Sequence, residues 1–413
     1  MRKEEFYREA LPDSLGPLEG VKVLEATTAQ AGPVAGMVLA DLGAEVIKID
    51  QPGLGDIARR LPPFVPSRSE LDASVGYLSR HRNKKNITLN LKSPEGQLLF
   101  RRLATRVDIV IQNFKPGTLD QWGLGYEGIR CLKPDIIYVS ISGYGQYGPY
   151  SHKPGYDPVG QAMSGLMSVT GFPDGPPTKT GNAMADNITG WQGAMGAMAA
   201  LHYRNRTGKG QHVDVCLLDS VLYTTEGFIT GAANAGKKWQ RTGNRYQGTA
   251  PVNTYRCRDG YVCICVALES HWTRLCRILG REDLIDDPRT SSIAARGDHV
   301  ELVDGVVSRW TQDRSVAEVV STLDEAQLVV APVMEFHQVL EDLHIREREM
   351  VTEVEHPAAG PIKLFGVASK YSLTPARVRT PAPLLGQHNR EVYGGWLGLG
   401  EEEIDGLKEQ GAI

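Results

Sequence analysis

The sequence predicts an α/β protein with a large doubly wound domain and a smaller α/β domain. Two strand–helix–strand patterns in the N-terminal half lead to this prediction, together with a change after residue 225 from periodic segments to a polar, glycine-rich segment. The length of 413 residues also exceeds what one ordinary hydrophobic core supports. The formal net charge of −4 argues against a nucleic-acid-binding protein, which would normally carry a basic surplus.

The first strand–helix–strand pattern starts near the N-terminus. Val21–Leu24 is a short apolar run, and a loop of small residues follows over Thr27–Gly32. Pro33 suits a first helical turn, and the segment after it has helical periodicity. A second apolar run lies at Ala44–Ile49. Strands joined by so short a helix are expected to be parallel, with a right-handed crossover.

The same pattern recurs further along the chain. A strand is predicted at Val107–Ile111, a helix over 117–131 and another strand at Asp135–Ile141. A helix rich in small residues over 187–205 and a strand within 212–218 follow. This succession is typical of a Rossmann-like sheet with helices on both faces.

The sequence divides after residue 225. We assign 1–225 and 331–413 to the large domain and 226–330 to the small domain. The glycine-rich segment 231–251 lacks periodicity and is predicted to be a linker or an active-site lid. The elements predicted in the small domain are strands at Val252–Cys257 and Tyr261–Ala267 and helices over 269–280 and 298–325. A hairpin over 351–369 and two helices are predicted to end the chain.

The N-terminal segment and the cysteines bear on location and on metal binding. The first residues are charged, and no run approaches the roughly 18 apolar residues of a membrane span, so a cytoplasmic protein without membrane association is expected. Cys263 and Cys265 alternate on a predicted strand, but no second ligand pair has matching spacing. The six cysteines are therefore predicted to be reduced thiols, and no metal site is expected.

General nucleotide and hydrolase motifs are missing. Gly53, Gly55 and Ala58 imitate a dinucleotide fingerprint, but Pro52 and Asp56 make this turn a poor cradle for pyrophosphate. The sequence contains no complete phosphate-binding P-loop, no G-x-S-x-G elbow and no H-E-x-x-H pair.

Five segments of the chain form a recognisable ordered set. They are TTAQAGPVAGMVLADLGAEVIKID (27–50), NFKPGTLDQWGL (113–124), the runs 142–171 and 179–215, and PAPLLGQHN (381–389). Together they resemble CoA-transferase family III, the CaiB/BaiF type. The match runs in order from about residue 18 to about residue 395, and the ordered combination is far more specific than any one segment. The resemblance implies an interlocked dimer in which two chains thread through each other, with the site between large and small domains.

The resemblance places the family's nucleophilic aspartate at Asp186. In the family, this side chain attacks an acyl-CoA thioester, forms a mixed anhydride and then an aspartyl-CoA thioester, and passes CoA to an acid. Asp186 directly precedes the predicted helix, so the helix dipole is expected to keep its pKa low. An N-cap without catalytic function is the alternative, although one oxygen can cap while the other attacks.

The resemblance also implies residues that contact CoA. Gln30 would donate from its amide to the developing oxyanion, unless it only bonds to the loop backbone. Lys92 and Lys115 would pair with phosphates, although solvated surface charges are the alternative. The full set of residues implied to bind CoA is Gln30, Ala31, Leu89, Lys92, Asn113, Phe114, Lys115 and Tyr156.

Two positions depart from the family pattern. Gln51 and Gln121 stand where the family often has phosphate-binding arginines. Basic residues nearby are candidates to compensate for them. Those candidates are Arg82, Lys84 and Lys85.

Tyr156 bears on the choice between two enzyme branches. The related α-methylacyl-CoA racemases need a second acid/base group, typically a histidine where this chain has Tyr156. A tyrosine with an ordinary pKa of about 10 is a poor base at neutral pH. A CoA-transferase is therefore predicted, with the racemase and a catalytically silent subunit as alternatives.

The substrates implied are an acyl-CoA, such as succinyl-CoA, and a small carboxylic acid. Carnitine-like, dicarboxylic and oxalate-type acids all occur in the family. The chain lacks the glycine-only loop of the oxalate branch, which disfavours oxalate. Arg241 and Arg245 are candidates to hold a second carboxylate, with solvent exposure as the alternative. A homodimer or a heteromer with a paralogous subunit is expected.

Overall fold

The computed structural model describes residues 1–413, which form two compact units. The predicted domain limit at 330 falls inside a strand, Val329–Pro332, whose pairing partner belongs to the smaller unit. The larger unit comprises Met1–Leu166, Thr180–Glu226 and Leu343–Ile413, and the smaller unit comprises Met167–Lys179 and Gly227–Asp342.

A six-stranded parallel sheet forms the centre of the larger unit. Its strands are β1 Lys22–Ala26, β2 Glu45–Asp50, β3 Lys84–Thr88, β4 Ile109–Gln112, β5 Ile137–Ser142 and β6 Gln211–Cys216. Their spatial order is β3-β2-β1-β4-β5-β6, and every pairing is parallel. This is the doubly wound order of a Rossmann-like sheet, so the predicted α/β class is confirmed.

Successive residues of the strands serve hydrophobic cores on opposite faces of the sheet. On β1, Leu24 packs in one core with Ile47, whereas Val23 packs in the other with Val46. All four side chains are buried. Because both faces of this parallel sheet are buried, its strands are near-continuous apolar runs in the sequence.

Helices cover both faces of this sheet. The longest begins at Met184, three residues before the predicted start, so Asp186 lies within its first turn. The predicted helix over 117–131 is two short helices, separated at Gly123, whose φ of 64° favours glycine. The helices of the larger unit are α1 Lys3–Phe6, α2 Ala31–Asp41, α3 Val75–Arg80, α4 Pro94–Ala104, α5 Thr118–Gln121, α6 Tyr126–Leu132, α7 Asp157–Met163, α8 Leu166–Val169 at the unit limit, α9 Met184–Thr207, α10 Leu217–Tyr223, α17 Leu343–Glu347, α18 Asn389–Leu397 and α19 Glu401–Glu409.

Short 3-10 turns and a hairpin complete the larger unit. The hairpin pairs two antiparallel strands, in agreement with the prediction for 351–369. These elements are the 3-10 turns Ile57–Arg60 and Glu70–Asp72 and the strands β10 Val351–His356 and β11 Gly360–Phe365.

Helices α2 and α9 pack closely because glycine lies at their contact. A Cβ added at Gly190 would lie 2.6 Å from Cβ of Val34 and 2.8 Å from the carbonyl oxygen of Ala31. Only a glycine allows the two backbones to approach this far. The close approach brings the N-terminal ends of α2 and α9 together.

The smaller unit combines an antiparallel sheet with helices. Part of the segment predicted as a loop, 231–235, is helical. The predicted helix over 298–325 is two helices, the second capped by Ser315. Its elements are α11 Gly227–Ala235, β7 Val252–Arg256, β8 Tyr261–Cys265, α12 Glu269–Ile278, the 3-10 turn Glu282–Leu284, α13 Ile293–Asp298, α14 Val300–Thr311, α15 Val316–Glu325, β9 Val329–Pro332 and α16 Phe336–Glu341.

A helix that crosses a bilayer needs about 20 mainly apolar residues. None of the helices of this chain combines the length and the apolar character needed to cross a membrane.

Candidate active site

The predicted nucleophile, Asp186, is the third residue of α9. The N-cap position belongs to Ala183, so the prediction of Asp186 as an N-cap is wrong. The capping carboxylate is Asp157, whose Oδ1 accepts the backbone N–H groups of Ala185 at 2.8 Å and Asp186 at 3.3 Å. Gln161 donates to the other oxygen of Asp157 at 2.8 Å. The side-chain oxygens of Asp186 have no hydrogen-bond partner in the structure, which leaves them free to attack a substrate.

The electrostatic environment of Asp186 differs from the prediction. Burial, followed by repulsion from Asp157, raises the pKa of Asp186 to about 6, against an opposing contribution from Arg80. The predicted low pKa is therefore wrong, because desolvation outweighs the helix dipole. With a pKa of about 6, the group is still mainly a carboxylate at neutral pH.

Gln30 lies beside the first turn of α9. Its Nε2 donates to Oδ1 of Asn187 at 3.0 Å, and its Oε1 accepts from Arg80 at 3.5 Å. The alternative in which Gln30 only bonds to the loop backbone is wrong. An amide nitrogen has two hydrogens, so the second N–H of Gln30 can donate to an oxyanion while the first stays bonded.

Buried charged residues fix the loop that carries Gln30. Ala29 has a φ of 66°, an unfavourable conformation for a residue other than glycine. Oδ1 of Asp56 accepts the N–H of Ala29 at 3.0 Å and the hydroxyl of Thr28 at 3.1 Å. Lys48 donates to the carbonyl of Thr27 at 2.7 Å. Sequence reasoning missed these roles, although a lysine inside a buried strand was an available indication.

A cleft lies at the carboxyl ends of the parallel strands. It has a volume of about 210 Å³, and residues after β1, β2, β3 and β4 line it. The sheet order reverses between β1 and β4, which is where doubly wound proteins bind nucleotides. Predicted residues that line the cleft are Leu89, Lys92 and Phe114.

The other residues predicted to bind CoA lie in different surroundings. Asn113 exchanges hydrogen bonds of 2.8 Å with both backbone groups of Thr28, and Ala31 is buried at the start of α2. Lys115 is exposed beside Phe114 and does not line the cleft. Tyr156 is 72% exposed, so its side chain is not part of a hydrophobic core.

Several residues that line the cleft were not predicted, and Trp122 is the aromatic one among them. Trp122 packs edge-on against Phe114, with ring centroids 6.1 Å apart, and lines the same cleft. It lies inside one of the segments that resemble the family, 113–124, so its aromatic side chain could have indicated a role in binding.

The basic residues proposed to compensate for Gln51 and Gln121 already form ion pairs with acidic side chains. Arg82 pairs with Asp41 at 2.7 Å and Lys84 with Glu25 at 2.8 Å, all four side chains being buried. Lys85 pairs with two glutamates at 2.6 Å each. None of the three is free for a phosphate, so that hypothesis is not supported.

The two arginines proposed to hold a second carboxylate, both in the smaller unit, are also occupied. Arg245 pairs with Glu301 at 2.6 Å and with Asp304 at 2.7 Å. The guanidinium of Arg241 donates to backbone carbonyls, including that of Gly175 at 2.8 Å. Both guanidinium groups are therefore engaged within the smaller unit.

Metal-binding side chains do not gather anywhere in the chain. No group of three or more His, Cys, Asp or Glu residues is placed to hold a metal ion. All six cysteines are unpaired, and the sulfur atoms of Cys263 and Cys265 lie 3.9 Å apart on β8.

Comparison with known families agrees with this geometry. A family model described as CoA-transferase family III matches residues 18–389. The chain belongs to CoA-transferase family III. The resemblance predicted from the sequence segments is therefore confirmed, and the protein is a CoA-transferase.

Named relatives and a solved structure cover nearly the whole transferase. It is 38% identical over 398 residues to succinyl-CoA–D-citramalate CoA-transferase of Chloroflexus aurantiacus, a match that covers 96% of this chain and 98% of that protein. It is also 38% identical over 404 residues to succinyl-CoA:glutarate CoA-transferase of Mus musculus, covering 97% and 91%. A crystal structure of a CAIB/BAIF family protein from Brucella suis superimposes with a TM-score of 0.82 at 32% identity, covering 92% of this chain and 99% of that one.

Proposed function

We propose that this transferase moves CoA from succinyl-CoA to a dicarboxylic acid, with Asp186 as the nucleophile. The observation that carries the proposal is a partly buried carboxylate without a hydrogen-bond partner, next to the amide of Gln30. Relatives named for succinyl-CoA and for citramalate or glutarate support the substrate class.

Asp186 first attacks the thioester carbonyl of the donor. This step forms an acyl–aspartyl anhydride and expels CoA thiolate. The thiolate then attacks the aspartyl carbonyl, giving an aspartyl-CoA thioester and the free donor carboxylate. The second N–H of Gln30 stabilises the oxyanion that forms at each attack.

The acceptor acid reverses this sequence. Its carboxylate attacks the aspartyl-CoA thioester, forms a second anhydride and releases CoA thiolate again. The thiolate attacks the acyl carbonyl of the acceptor, so that the new acyl-CoA leaves and the carboxylate of Asp186 is regenerated. No atoms are gained or lost overall.

The CoA nucleotide is proposed to occupy the cleft at the carboxyl ends of the strands. Leu89 and Phe114 supply apolar surface there, and Lys92 supplies positive charge for a phosphate. Lys115 is a second cation at the exposed rim, and Asn113 orders the loop beneath. Tyr156 is proposed to contact the pantetheine or acyl part, because it directly precedes the capping residue Asp157.

The racemase alternative is disfavoured on chemical grounds. It requires two acid/base groups across the substrate α-carbon. Tyr156 is a phenol rather than an imidazole, and its hydroxyl has no hydrogen-bond partner that would activate it. A silent subunit is disfavoured because Asp186 is present with free side-chain oxygens.

We also propose that the transferase works as an interlocked homodimer, or with a paralogous subunit, in the cytoplasm. The exposure of three large side chains of α9, those of Trp191, Met195 and Tyr203, supports association with another chain. Six unpaired cysteines are compatible with a reducing compartment. Sedimentation of the purified chain, with its activity measured alone, tests the assembly.

The covalent intermediate tests the nucleophile. Succinyl-CoA without acceptor should load the enzyme, and digestion should then locate a CoA-sized adduct on the peptide that contains Asp186. Asp186→Asn is the matched control and should leave that peptide unmodified. An adduct on Asp157 instead would contradict the assignment.

A screen of acids tests the substrate class. Citramalate, glutarate, oxalate and matched monocarboxylic acids are each offered with succinyl-CoA, and new acyl-CoA is identified by mass. Dicarboxylic acids are expected to be the best acceptors. Transfer to monocarboxylic acids alone would contradict the proposed substrate class.

A further inference from the structure

Arg80 stands out among the arginines of the larger unit that are not exposed, because its guanidinium has neither an acidic partner nor a backbone carbonyl acceptor. It is partly buried, yet no carboxylate lies within ion-pair distance of its guanidinium. Its only hydrogen bond is the 3.5 Å contact from Nη1 to Oε1 of Gln30, and its buried Nε has no partner at all. By contrast, Arg59 pairs with Asp50 at 3.0 Å and Arg82 with Asp41 at 2.7 Å.

An unpaired arginine in such a place is costly. The guanidinium stays charged at any physiological pH, and burial without an anion removes water that would otherwise solvate it. Burial accordingly lowers the pKa of Arg80, and the charges of Asp56 and Asp186 oppose this only from a distance. Binding of an anion next to Arg80 would therefore compensate the cost of its buried charge.

The backbone makes room for this guanidinium. A Cβ added at Gly76 would lie 2.9 Å from Nη2 and 3.4 Å from Nη1 of Arg80, so the side chain folds over a glycine of its own helix, α3. The planar group thus lies against its own helix with donors to spare, and bidentate binding of a carboxylate can use them.

The hydrogen bonds link this guanidinium to the residue that follows the proposed nucleophile. Gln30 bridges Arg80 to Asn187, the residue after Asp186. The charges of Arg80 and Asp186 also act on each other, so both groups belong to one local environment. Arg241 and Arg245, the other candidates for this task, are already bonded within the smaller unit.

We propose that Arg80 binds the free, non-reacting carboxylate of a dicarboxylic acid while the other carboxylate reacts at Asp186. The inference rests on the proposed function and deepens it, because it names the residue that selects dicarboxylic over monocarboxylic acids. Arg80 is then a specificity-determining residue for the donor and for the acceptor.

Competition between two acids tests this role. Glutarate and valerate differ only in that a methyl group replaces one carboxylate, and both compete for the same CoA-loaded enzyme. The ratio of glutaryl-CoA to valeryl-CoA therefore cancels any effect on donor binding or on the reactivity of Asp186. Arg80→Gln should lower this ratio by about 10- to 100-fold, as expected for a lost charge-assisted pair.

Further variants separate specificity from folding. Gly76→Ala keeps the charge but displaces the guanidinium, and only the flexible tip of Arg80 must move, so the variant should fold and lower the ratio several-fold. Arg80→Lys should give an intermediate ratio. Arg60→Gln removes an exposed positive charge from a neighbouring segment and should leave the ratio unchanged.

The possible failures are distinguishable. If Arg80→Gln and Gly76→Ala still transfer CoA with the ratio of the unmodified enzyme, the inference is overturned and Arg80 has only a structural or electrostatic role. If the unmodified enzyme transfers CoA from succinyl-CoA to no acid, the proposed function itself is overturned.

Discussion

Asp157 accepts a hydrogen bond from the backbone N–H of Asp186, so two acidic residues from different helices meet at the start of α9. Asp157 accepts the hydrogen bonds of backbone N–H groups at the start of α9, so the side chain of Asp186 does not need to accept them. It also places a negative charge beside Asp186, the proposed nucleophile, and contributes to its raised pKa. One residue therefore frees the side chain of Asp186 and sets its proton affinity.

The rate of enzyme loading should depend on pH through Asp186. Only the carboxylate attacks a thioester, and the pKa of Asp186 is raised to about 6. At low acyl-CoA concentration, the rate should therefore rise about tenfold per pH unit below this pKa and level off above it. Stopped-flow or quenched loading with succinyl-CoA measures this profile. A profile that stays level down to pH ~4.5 would show an ordinary aspartate pKa.

Asp186→Asn should make the transferase more heat-stable near neutral pH. The pKa of Asp186 is raised on folding, so the folded state binds more protons than the unfolded state, and stability falls as pH rises from about 4 to about 6. Removing the charge should restore about 1–2 kcal/mol at pH 7. Thermal unfolding at pH 7.5 and pH 5 measures the difference, which should shrink at pH 5. An equal difference at both pH values would argue against this explanation.

Gly190→Ala should impair both stability and transfer. The added methyl group would collide with Val34 and with the backbone of Ala31, where α2 and α9 touch. Overpacking of this kind costs about 1–3 kcal/mol and would shift Gln30 away from Asp186. Gly406→Ala, within α19, meets no atom within 4 Å and serves as the control. Thermal unfolding and steady-state transfer rates distinguish the two variants, and full activity in Gly190→Ala would contradict the close-packing argument.

Lys92→Ala should weaken the use of acyl-CoA without affecting the choice of acid. Lys92 is an exposed cation at the nucleotide cleft, so its removal should raise the KM for succinyl-CoA by about 3- to 10-fold, and less at high salt. Lys209→Ala, at an exposed turn after α9, is the control for a lost surface charge. Unchanged KM values in Lys92→Ala at low salt would remove Lys92 from the proposed phosphate contacts.

The sequence allowed the sheet to be predicted better than the electrostatics of the site. Apolar runs such as that of β1 predict buried parallel strands because both faces are covered. Strand β3 escaped notice because it begins with Lys84, whose charge is buried only through pairing with Glu25. A sequence does not reveal such a pair, since its members lie on different strands.

The site residues show the same limit. The resemblance along the chain points to Asp186 and Gln30, whose roles stay predictions. The pKa of Asp186 depends on burial and on Asp157, 29 residues away in the chain. Arg80 was missed because a lone arginine in a sequence looks the same whether or not an acid faces it.

The buried Lys48 and Asp56 have a consequence for the energetics of the reaction. Their hydrogen bonds to the backbone of Thr27 and Ala29 hold the strained conformation at Ala29, and these bonds form within the protein itself. In the oxyanion role proposed for Gln30, its amide would thus be preorganised, and little reorganisation energy would be needed. The cost of this ordering is met when the chain folds, so the free energy of substrate binding is left for recognition of the acid and the nucleotide.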